Sequence, residues 1–299
     1  MPTYRVTVEY DGTKFAGWQV QPKGRTVQGV LTTVLREVTG NETLTLRAAG
    51  RTDAGVHALA QEASFRVARP LEESRLLPLL AKALPPDLAV LDLERVPDSF
   101  HPRHDAVRRS YRYQIARRRS AFGKRFTWWV PGRLDPEAMQ VAATRFVGRH
   151  DFAGFARREA TRGRTIVVVE ECRVADLDEL VLVRVVASHF LWGQVRRMVG
   201  ALVAVGRGEA EPADVGRWLA GETAPPEPAA PAAGLFMEAV HYPGDKLDLP
   251  PLVPVGVPWP LHHRLVTRGK PPHSARAAEG VRRGRPRRRT RGSGSSSGQ

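Results

Sequence analysis

At 299 residues the chain is long enough for two subdomains around a sizeable core, and its hydrophobic fraction of 42% is ordinary for a soluble globular protein. No apolar run approaches the ~20 residues that span a bilayer, and residues 1–5 lead directly into an alternating strand, which leaves no room for a signal peptide. Cys172 is the only cysteine, which excludes an intrachain disulfide and agrees with a reducing compartment. We therefore expect a cytoplasmic protein without a membrane segment.

The net charge of +15 is concentrated near the C-terminus. Residues 261–299 contain eleven lysines and arginines and one acid, Glu279, so they carry +10 and leave +5 for residues 1–260. Runs such as residues 285–289 are typical of arms that bind polyanions, because attraction to phosphates needs no defined sequence. A tail that only increases solubility explains the same composition, and both interpretations stay open.

The first half of the chain alternates strand and helix patterns. Strands are predicted at residues 4–10, 62–67 and 88–96. Apolar residues at helical spacing predict a helix over residues 27–38, with Thr26 placed to cap its start and Gly40 to end it. A second helix is predicted around residues 76–80, although Pro78 suits a helix best in its first turn.

The second half repeats this theme without visible sequence repetition. Strands are predicted at residues 111–115, 165–174 and 180–187, and helices at residues 136–147, 190–205 and 212–220. The two long strands are close enough in the chain to form a hairpin. Because short links between strands favour antiparallel pairing, we predict an α+β fold rather than a doubly wound α/β fold.

The character of the chain changes after residue 243. Five prolines between residues 250 and 260 exclude a regular helix there. The apolar Val253, Val255, Val257 and Trp259 can still lie against the folded body. From about residue 268 the composition predicts disorder.

One loop is the strongest candidate for a functional site. It reads Gly50-Arg51-Thr52-Asp53-Ala54-Gly55-Val56-His57-Ala58 and follows a strand-like run over residues 43–47. Its glycines permit positive φ angles or the close approach of another molecule, and loops on a rigid scaffold commonly carry function. Asp53 is expected at its tip. The alternative is a simple turn, since Asp and Thr routinely cap turns.

This loop is one of several motifs that resemble the tRNA pseudouridine synthase A family. The others, in chain order, are residues 9–19 (EYDGTKFAGWQ), 26–31 (TVQGVL), 100–103 (FHPR), 108–113 (RRSYRY), 190–200 (FLWGQVRRMVG), 205–208 (VGRG), 234–236 (GLF) and 241–243 (HYP). Each motif alone is modest evidence. Their common order over residues 4–243 makes chance similarity an unsatisfactory explanation.

The resemblance implies a pseudouridine synthase fold, with two similar α/β subdomains whose mostly antiparallel sheets join around a central catalytic cleft. We place the subdomains at residues 1–104 and 105–245, followed by a Pro-rich extension at 246–267 and the basic tail at 268–299. The family also implies a homodimer that isomerises uridine to pseudouridine at positions 38–40 of the tRNA anticodon stem-loop. Because this reaction is an isomerisation, we expect no cofactor, and we expect no metal site.

The resemblance also implies roles for single residues. Asp53 matches the essential aspartate, Arg196 the arginine expected to pair with it, and Tyr111 the tyrosine that packs on the target base. A buried carboxylate needs such a cationic partner, because desolvation otherwise raises its pKa. Read without the motif, Tyr111 is more simply an ordinary strand tyrosine.

Further residues are expected to bind tRNA or line the cleft. Arg51 is expected to contact phosphate or to hold its loop. Arg109 is expected to contact RNA, because arginines that alternate with aromatics around Tyr111 suit single-stranded or loop RNA. Arg197 is expected to contact phosphate and Leu191 to form an apolar wall. The chain departs from the family pattern with Gly193, Gln194 and His104 in place of bulkier, Met and aromatic residues, respectively.

Other functions fit the sequence less well. His101 and His104 have a spacing that suits a metal, but the rest of a zinc ligand set is missing from their neighbourhood in the sequence. Asp53 and His57 suggest a hydrolase, yet no Gly-x-Ser-x-Gly motif follows a strand. A non-catalytic RNA-binding protein uses the same basic and aromatic surface and stays open, as does an enzyme whose tail delivers it to RNA.

Overall fold

The structure, a computed structural model, describes residues 1–157, 165–246 and 248–257. The described residues form ten strands and five α-helices. The strands are Thr3–Tyr10 (β1), Leu46–Ala48 (β2), His57–Arg66 (β3), Leu88–Val96 (β4), Arg108–Ala116 (β5), Trp128–Trp129 (β6), Gly148–Asp151 (β7), Ile166–Leu177 (β8), Leu180–Ala187 (β9) and Leu235–His241 (β10). The helices are Val27–Thr39 (α1), Glu73–Ala83 (α2), Pro136–Thr144 (α3), Gln194–Gly206 (α4) and Asp214–Leu219 (α5).

All ten strands belong to one mixed sheet. Its order is β4-β1-β3-β10-β5-β9-β8-β7, with β2 beside β3 and β6 beside β5. Pairing is parallel between β10 and β3 and between β5 and β6, and antiparallel elsewhere. The predicted α+β class with joined, mostly antiparallel sheets is confirmed, and so is the hairpin of β8 and β9.

The join between the two halves of the sheet is short. Strand β10 pairs with β3 through Phe236 opposite His57 and Met237 opposite Ala58, and along its other edge it pairs with β5. The last of the described strands thus lies between the first four strands and β5. Since the loop that contains Asp53 leads into β3, the candidate site lies at this join.

Helix α1 begins and ends where its sequence signals predict. The Thr26 hydroxyl accepts a hydrogen bond from the Gly29 N–H at 3.2 Å, and Gly40 adopts a left-handed conformation with φ +65°. Helix α2 continues through Pro78, which lies in its interior rather than in the first turn. Burial of Leu76 and Leu80 against the core offsets the hydrogen bond that this proline cannot donate.

The predicted start of the helix at residue 190 was wrong. Helix α4 begins at Gln194, because Gly193 has φ +79° and so interrupts the helical backbone. The Gln194 side chain accepts a hydrogen bond from the Leu191 N–H at 2.9 Å, which holds the preceding residues in a turn. Residues 190–192 are therefore free to project toward the Asp53 loop instead of packing along a helix.

Part of the Pro-rich extension is an ordered strap, which we define as residues 248–257. Its backbone carbonyls accept hydrogen bonds from three side chains of the central strands, Arg112, Gln114 and Arg184. Val255 N–H also donates to the Gln114 side chain at 2.7 Å. The strap thus lies across β5 and β9, whereas the predictions for residues 258–299 fall outside the described residues.

The charged residues beneath the strap form a buried cluster. A register shift in β10 between Met237 and Ala239 places Glu238 against Arg112, Arg184 and the Ser110 hydroxyl. Burial acts to raise the pKa of Glu238, but these hydrogen bonds and the Arg112 charge hold it below its usual value. In the described part of the chain, no helix is both long and apolar enough to cross a membrane.

Candidate active site

The loop between β2 and β3 is fixed from two sides. The Thr52 carbonyl accepts a hydrogen bond from the Trp18 N–H at 3.0 Å, and the Thr52 hydroxyl lies 2.8 Å from the buried Tyr10 hydroxyl. Gly17 packs directly on the loop backbone: a Cβ atom there would lie 2.8 Å from the Thr52 carbonyl oxygen. The position of Asp53 is therefore set by the folded N-terminal segment.

Both carboxylate oxygens of Asp53 accept a hydrogen bond from a side chain. Arg196 Nη1 lies 3.3 Å from Oδ2, and the indole Nε1 of Trp192 donates to Oδ1 at 2.7 Å. The side chains of Asp53 and Arg196 are 23% and 20% exposed, so the pair is shielded yet open to a substrate. One charged and one neutral donor therefore hold the two carboxylate oxygens.

Arg196 is held in place by the backbone of a separate segment. Its Nε donates to the Ala230 carbonyl at 2.7 Å, and the Ala230 N–H donates back to the Arg196 carbonyl at 2.9 Å. Because Arg196 lies in the first turn of α4, these contacts fix the start of that helix opposite the Asp53 loop. The guanidinium is thus held toward Asp53 before any substrate binds.

Tyr111 lies on β5 below the same loop. Its ring meets Phe190 edge to face, with 5.1 Å between centroids and an interplanar angle of 88°. Burial raises the pKa of Tyr111, the neighbouring Tyr10 and the Asp53 charge raise it further, and Arg109 opposes them. The phenol therefore stays neutral at ordinary pH and can donate a hydrogen bond.

The structure places Arg109 in a buried position. Only 8% of it is exposed, and its guanidinium donates to four backbone carbonyls, those of Ala49, Arg103, Ala106 and Ser188. The bond to Ala49, at 3.4 Å, reaches the start of the Asp53 loop. In this structure Arg109 ties strand β5 to the loops around the site.

The other predicted contact residues lie nearer the surface. Arg51 is exposed, and among the described residues its guanidinium has no hydrogen-bond or ion-pair partner. Within the described structure Arg197 pairs with Glu227 and Arg196 with Asp53, as expected for neighbouring helix positions that face different directions. Leu191 is partly buried and packs against the core beside the site.

His57 joins the two halves of the sheet as a neutral side chain. Gly12 N–H donates to its Nδ1 at 2.9 Å, so Nε2 carries the proton and faces the carbonyls of Arg125 and Ala233 at 2.9 and 3.2 Å. Burial lowers the pKa of His57, although the nearby Asp11 opposes this. These contacts use both ring nitrogens, and His57 serves here as a structural link.

The two histidines considered for a metal make local contacts instead. His101 Nδ1 accepts hydrogen bonds from the N–H groups of Arg103 and His104 at 3.2 and 3.3 Å. Within residues 1–157, 165–246 and 248–257, no group of three or more His, Cys, Asp or Glu side chains is arranged to hold a metal ion.

Trp192 is the residue at this site that sequence reasoning missed. In the sequence Trp192 is one letter of the motif at residues 190–200, and nothing local distinguishes it from a core or surface tryptophan. It is 46% exposed, and the Arg157 guanidinium lies 4.4 Å from its ring centroid. Its approach to Asp53 joins residues 139 positions apart, which no local pattern signals.

Comparison with known proteins shows which family the chain resembles. A family model described as tRNA pseudouridine synthase matches residues 6–105 and 142–243, which include Asp53, Trp192 and Arg196. The tRNA pseudouridine synthase A of Pelobacter propionicus is 42% identical over 252 residues, covering 81% of this chain and 100% of that protein. The proteins of the same name from Syntrophotalea carbinolica and Methylobacterium radiotolerans are 43% and 42% identical, covering 83% and 81% of this chain and 100% and 98% of their own lengths. The chain is therefore a member of the tRNA pseudouridine synthase family of isomerases.

Proposed function

We propose that this chain isomerises uridine to pseudouridine at positions 38–40 in the anticodon stem-loop of tRNA, with Asp53 as the essential carboxylate. The observation that carries the proposal is the arrangement of Asp53, which faces the Arg196 guanidinium across the cleft at 3.3 Å. Both residues lie within the part of the chain that matches the family model. The proposal also takes its substrate from relatives that are named for tRNA.

The reaction needs only one well-placed carboxylate to begin. The bond between N1 and C1′ breaks, the base turns and C5 bonds to C1′; C5 then loses its proton and N1 takes one up, so the product is an isomer of uridine and no oxidant is required. An ionised Asp53 can attack the base, attack the sugar or remove a sugar proton, and these three routes stay open. In each of them the Arg196 guanidinium lies beside the carboxylate, 3.3 Å from Oδ2.

Tyr111 and the arginines around the cleft are proposed to hold the RNA. The neutral, buried ring of Tyr111 is suited to pack on a flipped base, a contact worth roughly 1–3 kcal/mol. The exposed Arg51 guanidinium, from the same loop as Asp53, is suited to a phosphate, and Arg197 becomes so if its pair with exposed Glu227 opens. For Arg109 the contacts favour a positioning role, and direct RNA contact stays a prediction.

The decisive experiment is pseudouridine mapping of a full-length tRNA transcript with wild type and Asp53→Asn. The variant keeps the shape of the side chain and removes its charge, so we expect conversion by wild type and none by the variant. Binding of the transcript, measured by filter retention, should stay within about threefold, because the cleft arginines are unchanged. Turnover by Asp53→Asn would contradict the assigned role of the carboxylate.

A non-catalytic RNA-binding protein is the alternative from another class. Such a protein gains nothing from a half-shielded carboxylate held by two donors in a basic cleft, and it should tolerate Asp53→Ala without loss of function. If wild type binds several tRNAs but converts none, this alternative or a different RNA substrate becomes the better explanation.

The family also supports proposals about assembly and location. We propose a homodimer, for which light scattering in solution should give about twice the 33.0 kDa of one chain. We propose the cytoplasm as the location, and cell fractionation tests this. The basic tail is proposed to add non-specific RNA contacts, so its removal should weaken binding to unrelated RNA at low salt.

A further inference from the structure

The exposure and hydrogen bonding of Trp192 differ from those of a tryptophan that only packs in the core or covers the surface. A buried tryptophan such as Trp18 is 1% exposed and contributes apolar area, whereas nearly half of Trp192 is exposed. The indole has a single hydrogen-bond donor, and Trp192 directs it to Oδ1 of Asp53 at 2.7 Å. This donor therefore contacts the one side chain on which the chemistry depends.

The ring itself is held by two contacts from one neighbour. The Arg157 guanidinium lies 4.4 Å from the ring centroid, and the Arg157 N–H donates to the Trp192 carbonyl at 3.0 Å. On the other side, Gly193 with φ +79° turns the chain into α4, so Trp192 lies outside the helix. Backbone and side chain together orient the indole toward Asp53.

A carboxylate held by one donor can still rotate about its χ2 angle. Arg196 contacts only Oδ2 and comes from α4, whereas Trp192 contacts Oδ1 and comes from the turn before that helix. Two donors on different oxygens fix the plane of the carboxylate and leave further lone pairs free to react. Such fixed geometry accelerates a reaction because the orientation is already set before substrate arrives.

We propose that Trp192 is a positioning residue for Asp53, acting through its indole N–H and oriented by Arg157. The inference rests on the proposed function, in which Asp53 is the reacting carboxylate. Trp192 is assigned no bond-making step. Its contribution is to the rate of the step that Asp53 carries out and not to the affinity for RNA.

The test compares Trp192→Phe with a matched control, Trp129→Phe. Both replacements keep an aromatic ring and remove the indole N–H. Trp129 is 44% exposed and lies under the Arg119 guanidinium at 5.8 Å, but it belongs to β6 and does not contact Asp53. Single-turnover conversion of a tRNA transcript and its dissociation constant are measured for wild type, both variants and Asp53→Asn.

Loss of a hydrogen bond to a charged group predicts a rate roughly tenfold to a hundredfold lower for Trp192→Phe, with an unchanged dissociation constant. Trp129→Phe should match wild type in both quantities, and Arg157→Met should give a smaller loss of rate than Trp192→Phe. A rate for Trp192→Phe within twofold of wild type overturns the proposal. A weaker dissociation constant with an unchanged rate also overturns it, since Trp192 would then contact RNA instead.

An independent measurement needs no activity. The chain has six tryptophans, and the indole N–H resonance that disappears in Trp192→Phe identifies Trp192 in a ¹⁵N spectrum. This resonance should move in Asp53→Asn, while that of Trp129 should stay in place. An unmoved Trp192 resonance overturns the contact itself. Absence of conversion by wild type on all tRNAs overturns the proposed function, and the two failures are thereby distinguished.

Discussion

Glu62 is a buried acid on β3, and one of its carboxyl oxygens lacks a hydrogen-bond partner among the described residues. The Thr7 hydroxyl donates to Oε1 at 2.8 Å, whereas Oε2 has no hydrogen-bond partner among the described residues and lies 4.0 Å from Arg5 Nε. Burial raises the pKa of Glu62 from 4.5 to about 7, against the opposing effects of Thr7 and Arg5. Near neutral pH this residue therefore holds a proton in the native state that it would lose in the unfolded chain.

The raised pKa of Glu62 predicts a stability that falls as pH rises. Between about 4.5 and 7 the native state binds more protons than the unfolded state, so the free energy of unfolding decreases with pH in this window. Glu62→Gln should therefore stabilise the protein, most strongly above pH 7, by an amount on the order of 1–3 kcal/mol. Urea unfolding of both proteins at pH 5 and pH 8 measures this. An equal difference at the two pH values would contradict it.

At the scale of elements, helix starts show what local sequence determines. Helix α1 was predictable because Thr26, the apolar spacing and Gly40 all act within a few residues of one another. The start of α4 was not, because Gly193 stands in a run of helix-compatible residues and its positive φ depends on the turn before it. A helix that starts at Phe190 would contain Trp192, and such a helix gives no indication that Trp192 contacts Asp53.

The approach of Asp53 to Arg196 could be anticipated from family resemblance but not from pattern. These residues lie 143 positions apart, and the contact exists because β10 joins β3 to β5. For Arg109, a local sequence pattern was available, but the contacts that this residue makes could not be predicted from it. Alternation of arginines with aromatics indicated RNA, yet its four carbonyl partners come from loops whose positions only the fold defines.

The contact between Gly17 and the Asp53 loop predicts a variant that damages activity from outside the site. Gly17→Ala places a Cβ atom 2.8 Å from the Thr52 carbonyl oxygen and 3.2 Å from Ala54 N, so the loop must move. The backbone at Gly17 has φ +101°, which adds strain. We expect kcat to fall at least tenfold, because displacing a catalytic group by an ångström is costly.

Gly40→Ala is the control for this prediction. Gly40 also has a positive φ, +65°, but no atom lies within 4 Å of the position a Cβ would take. This variant should lose about 1 kcal/mol of stability and keep its kcat. Equal effects of the two substitutions on kcat would show that strain, and not displacement of the loop, is responsible.

At the scale of the whole molecule, the strap completes a charged cluster that the sheet alone leaves open. Arg112 donates to the Val253 carbonyl at 2.8 Å and Gln114 to the Val255 carbonyl at 2.9 Å, and Arg184 reaches the Pro250 carbonyl at 2.5 Å. On β5, Arg112 and Gln114 alternate with Tyr111, so their side chains lie on the opposite face of the sheet from the Tyr111 ring. The strap thus stabilises the central strands from the face opposite to Tyr111.

A pair of truncations tests the strap separately from the basic tail. Removal of residues 248–299 takes away the carbonyl acceptors of Arg112, Gln114 and Arg184 and should lower the free energy of unfolding by about 1–3 kcal/mol. Removal of residues 258–299 keeps them and should leave that free energy unchanged. Urea unfolding at one pH compares the two proteins with the full chain, and equal stabilities for both truncations would refute a role for the strap.

The position of β10 also determines when the protein can become active during its synthesis. Among the described strands, residues 235–241 are the last to leave the ribosome, yet they form the seam between β3 and β5. Until then the segment that bears Asp53 and the segment that bears Tyr111 share no strand pairing, since β10 is their only link in the sheet among the described strands. A nascent chain can thus fold each part locally, but assembly of the cleft waits for almost the whole matched region.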